Sequence, residues 1–473
     1  MSQSNDEVVA DRCIDVSTRW PRQFTTLIRI ALPLSLSQIS EMAMGITDTV
    51  LLGGIGATAL AVGGLATTLF FVTLITFQSG LGGISVLIAR ARGEAHRFGD
   101  SRAADLSRLI STGVLFALAL CLPVAAILLS TGWLLQAFGE PDKVIHLSSR
   151  FIHVLLGALL PDLVVIGLLR IVLPAFGCET LLLWTMPGMA VLNGLTNAAL
   201  IHGWFGLPAM GLWGSATATV LTGWLVAGVL LFLARRQAAL HRHLRLARPD
   251  WAALKRMLHL GLPMMGATGA EVAAFQVTGL RAGHFGTTSL AAHQVALSVT
   301  STLFMISLAL SQAANIRVSF WLGARRMVAA KRAAAGAIIL AVAWSVMSGL
   351  ILLIFPHWIA AFYLRANTPD GAEAALITVK LLRIAAIYQI FDGIQVTCTA
   401  ALRACHDTLV PMLVMIGSYC VLTLGFGGWL STDGHMGVVG LWIGLAAGLM
   451  AVGIILPPRL VVMLRRQEAE LLR

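Results

Sequence analysis

Four carboxylates lie inside long apolar runs of the sequence and form two pairs with the same spacing. Glu41 and Asp162 recur 230 residues later as Glu271 and Asp392. An ionisable side chain at the centre of a bilayer costs about 2.5 to 3.5 kcal/mol on insertion scales, so such residues usually mark functional pathways. Their recurrence in one frame predicts a duplicated pathway for ions or substrates.

The composition predicts that the elements carrying these acids are membrane helices. Hydrophobic residues make up 58% of the 473 residues, charged residues make up only 12%, and the mean hydropathy is +0.85. Apolar stretches of about 20 residues or more, enough for a helix to cross roughly 30 Å of hydrocarbon, recur along almost the whole chain. The sequence therefore predicts an all-α integral membrane protein with twelve transmembrane helices.

Basic residues are placed unevenly around these stretches. Seven Lys and Arg residues fall between positions 235 and 256, whereas the loops after helices 4 and 10 are assigned one each. By the positive-inside rule this placement, with a net charge of +11, predicts cytosolic termini rather than nucleic-acid binding. The predicted organisation is a cytosolic segment 1–24, an N-lobe 25–235 with helices 1 to 6, a basic linker 236–254, a C-lobe 255–464 with helices 7 to 12, and a tail 465–473.

The duplication extends beyond the acids. Between positions 33 and 61, eight of 29 residues are identical to those 230 positions later, among them Pro33 and Pro263. An even number of helices separates the copies, which predicts two six-helix lobes related by a pseudo-two-fold axis along the membrane normal. Each proline removes one helical hydrogen bond, so the pair is either a moving hinge or a static packing kink.

Several segments, in order along the chain, resemble multidrug and toxic compound extrusion (MATE) transporters, particularly the bacterial branch. The segments are PLSLSQISEMAMGITDTVLLG in helix 1, LNGLTNAALIHGWFGLPAMGLWGSATAT in helices 5 and 6, GLPMMGATGAEVAAFQ and LAAHQVAL in helices 7 and 8, and YQIFDGIQVTCTAALRACHDT through helix 10. The resemblance covers nearly the whole chain. It implies a multi-pass protein of the bacterial inner membrane that exports drugs in exchange for Na+ or H+.

The resemblance also implies site residues. In the N-lobe it implies Asp48 with Asn193 and Asn197, to which the repeat adds Glu41 and Asp162. In the C-lobe it implies a cation site, with Na+ as a candidate ligand, at Glu271, Tyr388 and Asp392. Glu41 departs from the family pattern, in which a neutral polar residue is more usual. For all these residues ordinary helix packing is the alternative interpretation.

Buried acids of this kind favour competition between a small cation and an organic cation for the same carboxylates. The sequence therefore predicts secondary antiport of cationic, partly aromatic compounds by a monomer surrounded by lipid, without enzyme activity or a cofactor. Na+ and H+ both remain open as the coupling ion. The alternatives are a cation channel, a membrane enzyme and a flippase for lipid-linked precursors, which would need basic residues in the spans, where the sequence predicts acidic ones.

Overall fold

The computed structural model describes residues 19–98, 103–137, 139, 141–244, 247–364 and 368–472. Every regular element among them is helical, and no described residue lies in a β-strand. The predicted all-α class is therefore confirmed. Long apolar sequences in lipid form helices because a helix satisfies all of its backbone hydrogen bonds internally.

The first half of the chain forms ten helices. They are α1 (Trp20–Ile55), α2 (Ala57–Gly80), α3 (Gly82–Phe98), α4 (Ala103–Leu129), α5 (Thr131–Ala137), α6 (Asp142–Leu159), α7 (Gly167–Ala175), α8 (Thr180–His202), α9 (Leu212–Arg236) and α10 (Ala238–His241). A π-helical segment, Leu160–Ile166, connects α6 to α7 without a break. A short 3-10 turn, Trp204–Gly206, follows α8.

The second half forms eight helices. They are α11 (Trp251–Gly283), α12 (Thr287–Gly323), α13 (Met327–Ile354), α14 (Pro356–Tyr363), α15 (Pro369–Ala404), α16 (Leu409–Ser418), α17 (Gly427–Thr432) and α18 (Val438–Leu472). A second π-helical segment, Tyr419–Phe426, joins α16 to α17. π-helical turns are rare and are often found at functional positions.

Nine helical stretches among the described residues are long and apolar enough to cross a membrane. Helices α1, α8 and α11 are also long, with 36, 23 and 33 residues, but they are not among the nine. These three helices carry Glu41, Asp48, Asn193, Asn197 and Glu271, and polar side chains lower the hydropathy of a span. The helices that differ from a simple apolar span are thus those that carry most of the predicted site.

Two compact units divide the described chain. The first is Leu36–Gly261, and the second combines residues 19–35 with residues 262–472. These limits differ from the predicted lobes, because α1 and α11 each contribute residues to both units. The change of unit falls within three residues of Pro33 in α1 and of Pro263 in α11.

Small residues allow the helices within each unit to pack closely. In the first unit, a β-carbon on Gly214 of α9 would lie 2.7 Å from backbone atoms of Leu200 in α8. In the second unit, Gly444 of α18 contacts Gly427 at the start of α17. Close backbone approach is a common way to pack helices in lipid, where apolar burial alone gives little driving force.

Two ion pairs in the second unit differ in exposure. Arg459 of α18 bonds Asp407 at 2.8 Å, and the carboxylate is only 7% exposed. Lys331 of α13 bonds Glu468 of α18 at 2.6 Å, with both side chains 40% exposed. Because water screens exposed pairs, the Asp407 pair has more influence on stability.

Candidate functional site

The first unit contains a buried group formed by Asp48 of α1 and two asparagines of α8. The Asn197 side-chain amide donates a hydrogen bond to Asp48 Oδ1 at 2.6 Å. Asn193, one turn before Asn197, is fully buried, and neither atom of its side-chain amide has a hydrogen-bond partner among the described residues. We call Asp48, Asn193 and Asn197 the amide group. Its free amide oxygens and its carboxylate suit a cation or a proton.

Glu41 lies two turns before Asp48 on α1 and has a different partner. Its Oε2 accepts a hydrogen bond from Nη1 of Arg170 in α7, at 2.6 Å. The arginine side chain is 12% exposed and that of Glu41 33% exposed. An arginine is permanently charged, so this ion pair holds a fixed positive charge beside the glutamate.

Asp162 lies beside this pair, in the π-helical segment Leu160–Ile166. Glu41, Asp162 and Arg170 line one cavity of about 30 Å³, and both charged neighbours act electrostatically on Asp162. Gly223 of α9 makes room for the carboxylate, because a β-carbon there would lie 3.2 Å from Asp162 Oδ1. We call this space the Arg170 cavity.

The structure therefore separates the five predicted N-lobe residues into two places. Asp48, Asn193 and Asn197 do not line the Arg170 cavity, whereas Glu41 and Asp162 do. Seven residues of α-helix advance about 10.5 Å, so Glu41 and Asp48 share a face but lie too far apart to ligate one small ion.

In the second unit, Glu271 of α11 takes part in a chain of buried hydrogen bonds. The Tyr419 hydroxyl bonds the Glu271 carboxylate, and the Gln395 amide donates to the Tyr419 oxygen at 3.2 Å. Tyr419 and Gln395 are each 1% exposed. The chain fixes one face of the Glu271 carboxylate and strengthens its ability to stay ionised.

Asp392 and Tyr388 of α15 lie near Glu271, as predicted. Each of the two acids acts electrostatically on the other parts of this group: Glu271 on Asp392, and Asp392 on Tyr388. Asp392 is 6% exposed, and its Oδ1 has no hydrogen-bond partner among the described residues. The Tyr388 ring lies 6.1 Å from the ring of Trp442. The structure thus brings together an open carboxylate oxygen and an aromatic surface.

Arg403 provides a buried positive charge in the second unit, as Arg170 does in the first. It acts electrostatically on Glu271 from the end of α15. The prediction that the charges inside the helices are acidic is thus wrong for these two positions, because each unit also holds a helical arginine. The signal was their place 8 and 11 residues after Asp162 and Asp392, yet the repeat frame conceals it, since position 170 matches Ala400.

Nine long apolar helices among the described residues, with buried carboxylates in both units, define the class as a multi-pass membrane transporter. The sequence model of the MatE family matches residues 33–175 and 263–428. The chain is 40% identical over 430 residues to the multidrug resistance protein NorM of Burkholderia vietnamiensis, covering 90% of this chain and 91% of that protein. It is 33% identical over 464 residues to the probable NorM of Rhizobium meliloti, covering 95% and 96%. The chain belongs to the MatE family, as its sequence segments predicted.

Solved structures show the same fold at low sequence identity. The crystal structure of the eukaryotic MATE transporter AtDTX14 matches with a TM-score of 0.83 and 19% identity, covering 96% of this chain and 99% of that one. The crystal structure of a MATE protein in complex with MaL6 also matches with a TM-score of 0.83, at 18% identity and over 96% and 100% of the two chains. Membership in a family of transporters agrees with the prediction that the protein is not an enzyme.

Proposed function

We propose that this protein exports cationic, partly aromatic organic compounds across the bacterial inner membrane in exchange for Na+ or H+. Relatives named as multidrug resistance proteins support the export of drugs. The observation that carries the proposal is Asp392, a buried acid with an unpartnered oxygen beside Glu271 and Tyr388. Such an acid in a helical membrane protein needs a positive partner, and transport supplies one.

Each predicted residue has a role in this proposal. Glu271 and Asp392 hold the coupling ion, and Tyr388 adds a phenol oxygen and an aromatic surface for the organic cation. Tyr419 and Gln395 position Glu271 through their hydrogen bonds. In the first unit, the amide group and the acids Glu41 and Asp162 are the corresponding candidates, listed together as Asp48, Asn193, Asn197, Glu41 and Asp162.

Competition for the carboxylates couples the two fluxes. When the site faces outward, Na+ or H+ neutralises the acids and the organic cation leaves; when the site faces inward, the ion departs and the acids attract the next organic cation. Each elementary charge that enters the cell down the membrane potential contributes about 2.3 kcal/mol per 100 mV, which supports a concentration ratio of about 50-fold. The cycle needs no nucleotide and no cofactor.

The proposal includes a topology. The nine apolar stretches together with α1, α8 and α11 give twelve spans, and an even number places both termini on one side. The seven Lys and Arg residues between positions 235 and 256 favour the cytosol for that side. Lipid surrounds the exposed apolar side chains, and the protein functions as a monomer. Trp184 and Phe362, which are 76% and 85% exposed, belong to this lipid-facing surface.

A flippase for lipid-linked precursors fits the charges less well. Such a protein needs basic residues that are available to hold pyrophosphate. The two helical arginines described above face acids instead: Arg170 bonds Glu41, and Arg403 lies beside Glu271. Their positive charge is thus already compensated within each unit.

Ethidium efflux from energised cells tests the proposed function. Asp392→Asn and Glu271→Gln remove one negative charge each with little change in shape, and we expect each to lower the initial efflux rate at least about 10-fold. Asp433→Asn is the matched control, because Asp433 is an exposed acid of the same unit, and we expect its efflux to match the unchanged protein. Normal efflux in both site variants, at equal protein levels, would contradict the proposal.

The hinge role of the two prolines has its own test. We expect Pro33→Ala and Pro263→Ala to restore a helical hydrogen bond close to where each helix changes unit, and thereby to slow transport. Dye binding to purified protein should remain within about twofold of the unchanged protein, because neither proline is a proposed ligand. Unchanged efflux rates in both variants would favour a static packing kink.

A further inference from the structure

The Arg170 cavity has the donor atoms of a cation site. Ser37, Glu41, Gln78 and Asp162 all line it, and each presents a side-chain oxygen. Its volume of about 30 Å³ is enough for a small ion, or for roughly one or two water molecules. Oxygen donors of this kind suit hard cations rather than soft transition metals.

Ser37 gives an independent sign that something polar belongs in this cavity. Its side chain is 1% exposed, and its hydroxyl has no hydrogen-bond partner among the described residues. A buried hydroxyl without a partner costs about 1 to 3 kcal/mol, so proteins seldom leave one unless a ligand or water uses it. Most hydroxyls on α1, such as those of Ser35 and Ser40, bond the carbonyl four residues earlier.

The charge of the cavity limits what it can hold. Its ionisable lining residues are Glu41, Asp162 and Arg170, two acids and one permanent cation. With both acids ionised the sum is therefore one negative charge, −1 − 1 + 1 = −1. One monovalent cation neutralises the site, whereas a divalent cation leaves an excess positive charge in a medium of low dielectric constant.

We propose that the Arg170 cavity binds one Na+ ion, and that Arg170 makes the site selective for monovalent over divalent cations. This site is separate from the amide group and from the Glu271, Tyr388 and Asp392 group of the second unit. Its use in transport rests on the proposed function, but the binding itself does not. Asp162 is the charged ligand, Ser37 and Gln78 supply neutral oxygens, and Arg170 compensates Glu41.

The second unit gives the same charge sum with different residues. Glu271 and Asp392 are its two acids, and Arg403 is the permanent cation beside Glu271. The repeat of the sum is independent of the repeat frame, because the two arginines occupy non-equivalent positions in the sequence. Two different solutions to the same charge requirement support a requirement for one net negative charge.

Equilibrium binding of 22Na+ to purified protein in nanodiscs tests the site itself. We expect Asp162→Asn to remove one bound Na+ per molecule, and Ser37→Ala to weaken that ion at least about 5-fold. Ser35→Ala is the matched control, since Ser35 is a buried serine of the same helix whose hydroxyl bonds Ala31 and does not line the cavity. Full Na+ stoichiometry in Asp162→Asn would overturn the proposal, as would a response to protons alone.

Four proteins with different charge sums test the role of Arg170. A unit charge about 6 Å away changes the affinity of a monovalent ion about 100-fold at an effective dielectric constant of about 20. The unchanged protein has a sum of −1, Arg170→Gln has −2, Glu41→Gln has 0, and the double variant Glu41→Gln/Arg170→Gln returns to −1. We expect Ca2+ to displace 22Na+ from Arg170→Gln at least about 10-fold more readily, and Na+ affinity to fall at least about 10-fold in Glu41→Gln.

The double variant is decisive because it lacks the ion pair but keeps the charge sum. We expect its Na+ affinity and its Ca2+ sensitivity to lie within about threefold of the unchanged protein. An ion pair with a purely structural role requires the opposite, namely that the double variant be at least as defective as either single variant. Arg170→Lys, which keeps the charge, should retain monovalent selectivity, and its loss there would also overturn the proposal.

Failure of this inference is distinguishable from failure of the proposed function. If the unchanged protein exports ethidium but Asp162→Asn keeps all of its bound Na+, only the cavity site is wrong. If the unchanged protein exports no ethidium but loses one Na+ on the Asp162→Asn change, the cavity site stands and the export proposal is wrong. Neither experiment depends on the other.

Discussion

Tyr419→Phe removes one hydroxyl from the centre of the second unit and leaves the ring in place. That hydroxyl bonds the Glu271 carboxylate and accepts a hydrogen bond from the Gln395 amide at 3.2 Å. A hydrogen bond to a charged group contributes about 1.5 to 3 kcal/mol, and an amide left without a partner costs about 1 kcal/mol more. We therefore expect the free energy of unfolding to fall by about 2 to 4 kcal/mol.

Reversible unfolding of the purified protein in mixed micelles, monitored by circular dichroism, measures this loss. The chain has three tyrosines, and Tyr363→Phe is the matched control because Tyr363 is 47% exposed. We expect that control to change the free energy of unfolding by less than about 0.5 kcal/mol. Equal stabilities of the Tyr419→Phe and unchanged proteins would refute the hydrogen-bond chain.

A double-mutant cycle then assigns the loss to the carboxylate. In a Glu271→Gln background the tyrosine bonds a neutral amide, and such a bond contributes about 1 kcal/mol. We expect Tyr419→Phe to cost about 1 to 2 kcal/mol less there than in the unchanged background. Strict additivity of the two changes would show that Tyr419 acts on the fold without acting on Glu271.

Three other changes test the packing and the ion pairs. Gly214→Ala would bring a β-carbon within 2.7 Å of the backbone of α8, so we expect a loss of about 1 to 3 kcal/mol in unfolding free energy. Gly228→Ala on the same helix meets no atom within 4 Å, and we expect a gain of up to about 1 kcal/mol from helix propensity. Asp407→Asn breaks a pair whose acid is 7% exposed and should cost about 1 to 3 kcal/mol. Glu468→Gln breaks a pair with both side chains 40% exposed and should cost less than about 1 kcal/mol by the same unfolding assay.

Residue types and periodicity were sufficient to predict the helical fold and most of the acids. The repeat of 230 residues identified Glu41, Asp162, Glu271 and Asp392, because a charge within a long apolar run is visible in a single sequence. The same frame located the two prolines, which lie close to where their helices change unit. Local pattern is informative here because lipid penalises each unpaired polar group separately.

Partners across helices could not be predicted in the same way. Tyr419 bonds Glu271 from a π-helical segment 148 residues away in sequence, and no spacing rule links the two. Arg170 was assigned to a loop although it bonds Glu41. An arginine near the end of an apolar run resembles a topology signal, and only the geometry of the neighbouring helix shows that its charge points to an acid.

The two arginines show which property of the repeat is under constraint. If the duplicated sequence alone determined the charges, the second unit would carry an arginine at position 400, where it has alanine, and its arginine lies three residues later. A shift of three residues is close to one helical turn, so it moves the guanidinium along the helix while keeping it on nearly the same face. The side chain is long enough to reach a carboxylate from either place. What the two units share is therefore the sum of two acids and one permanent cation rather than a fixed position for the cation.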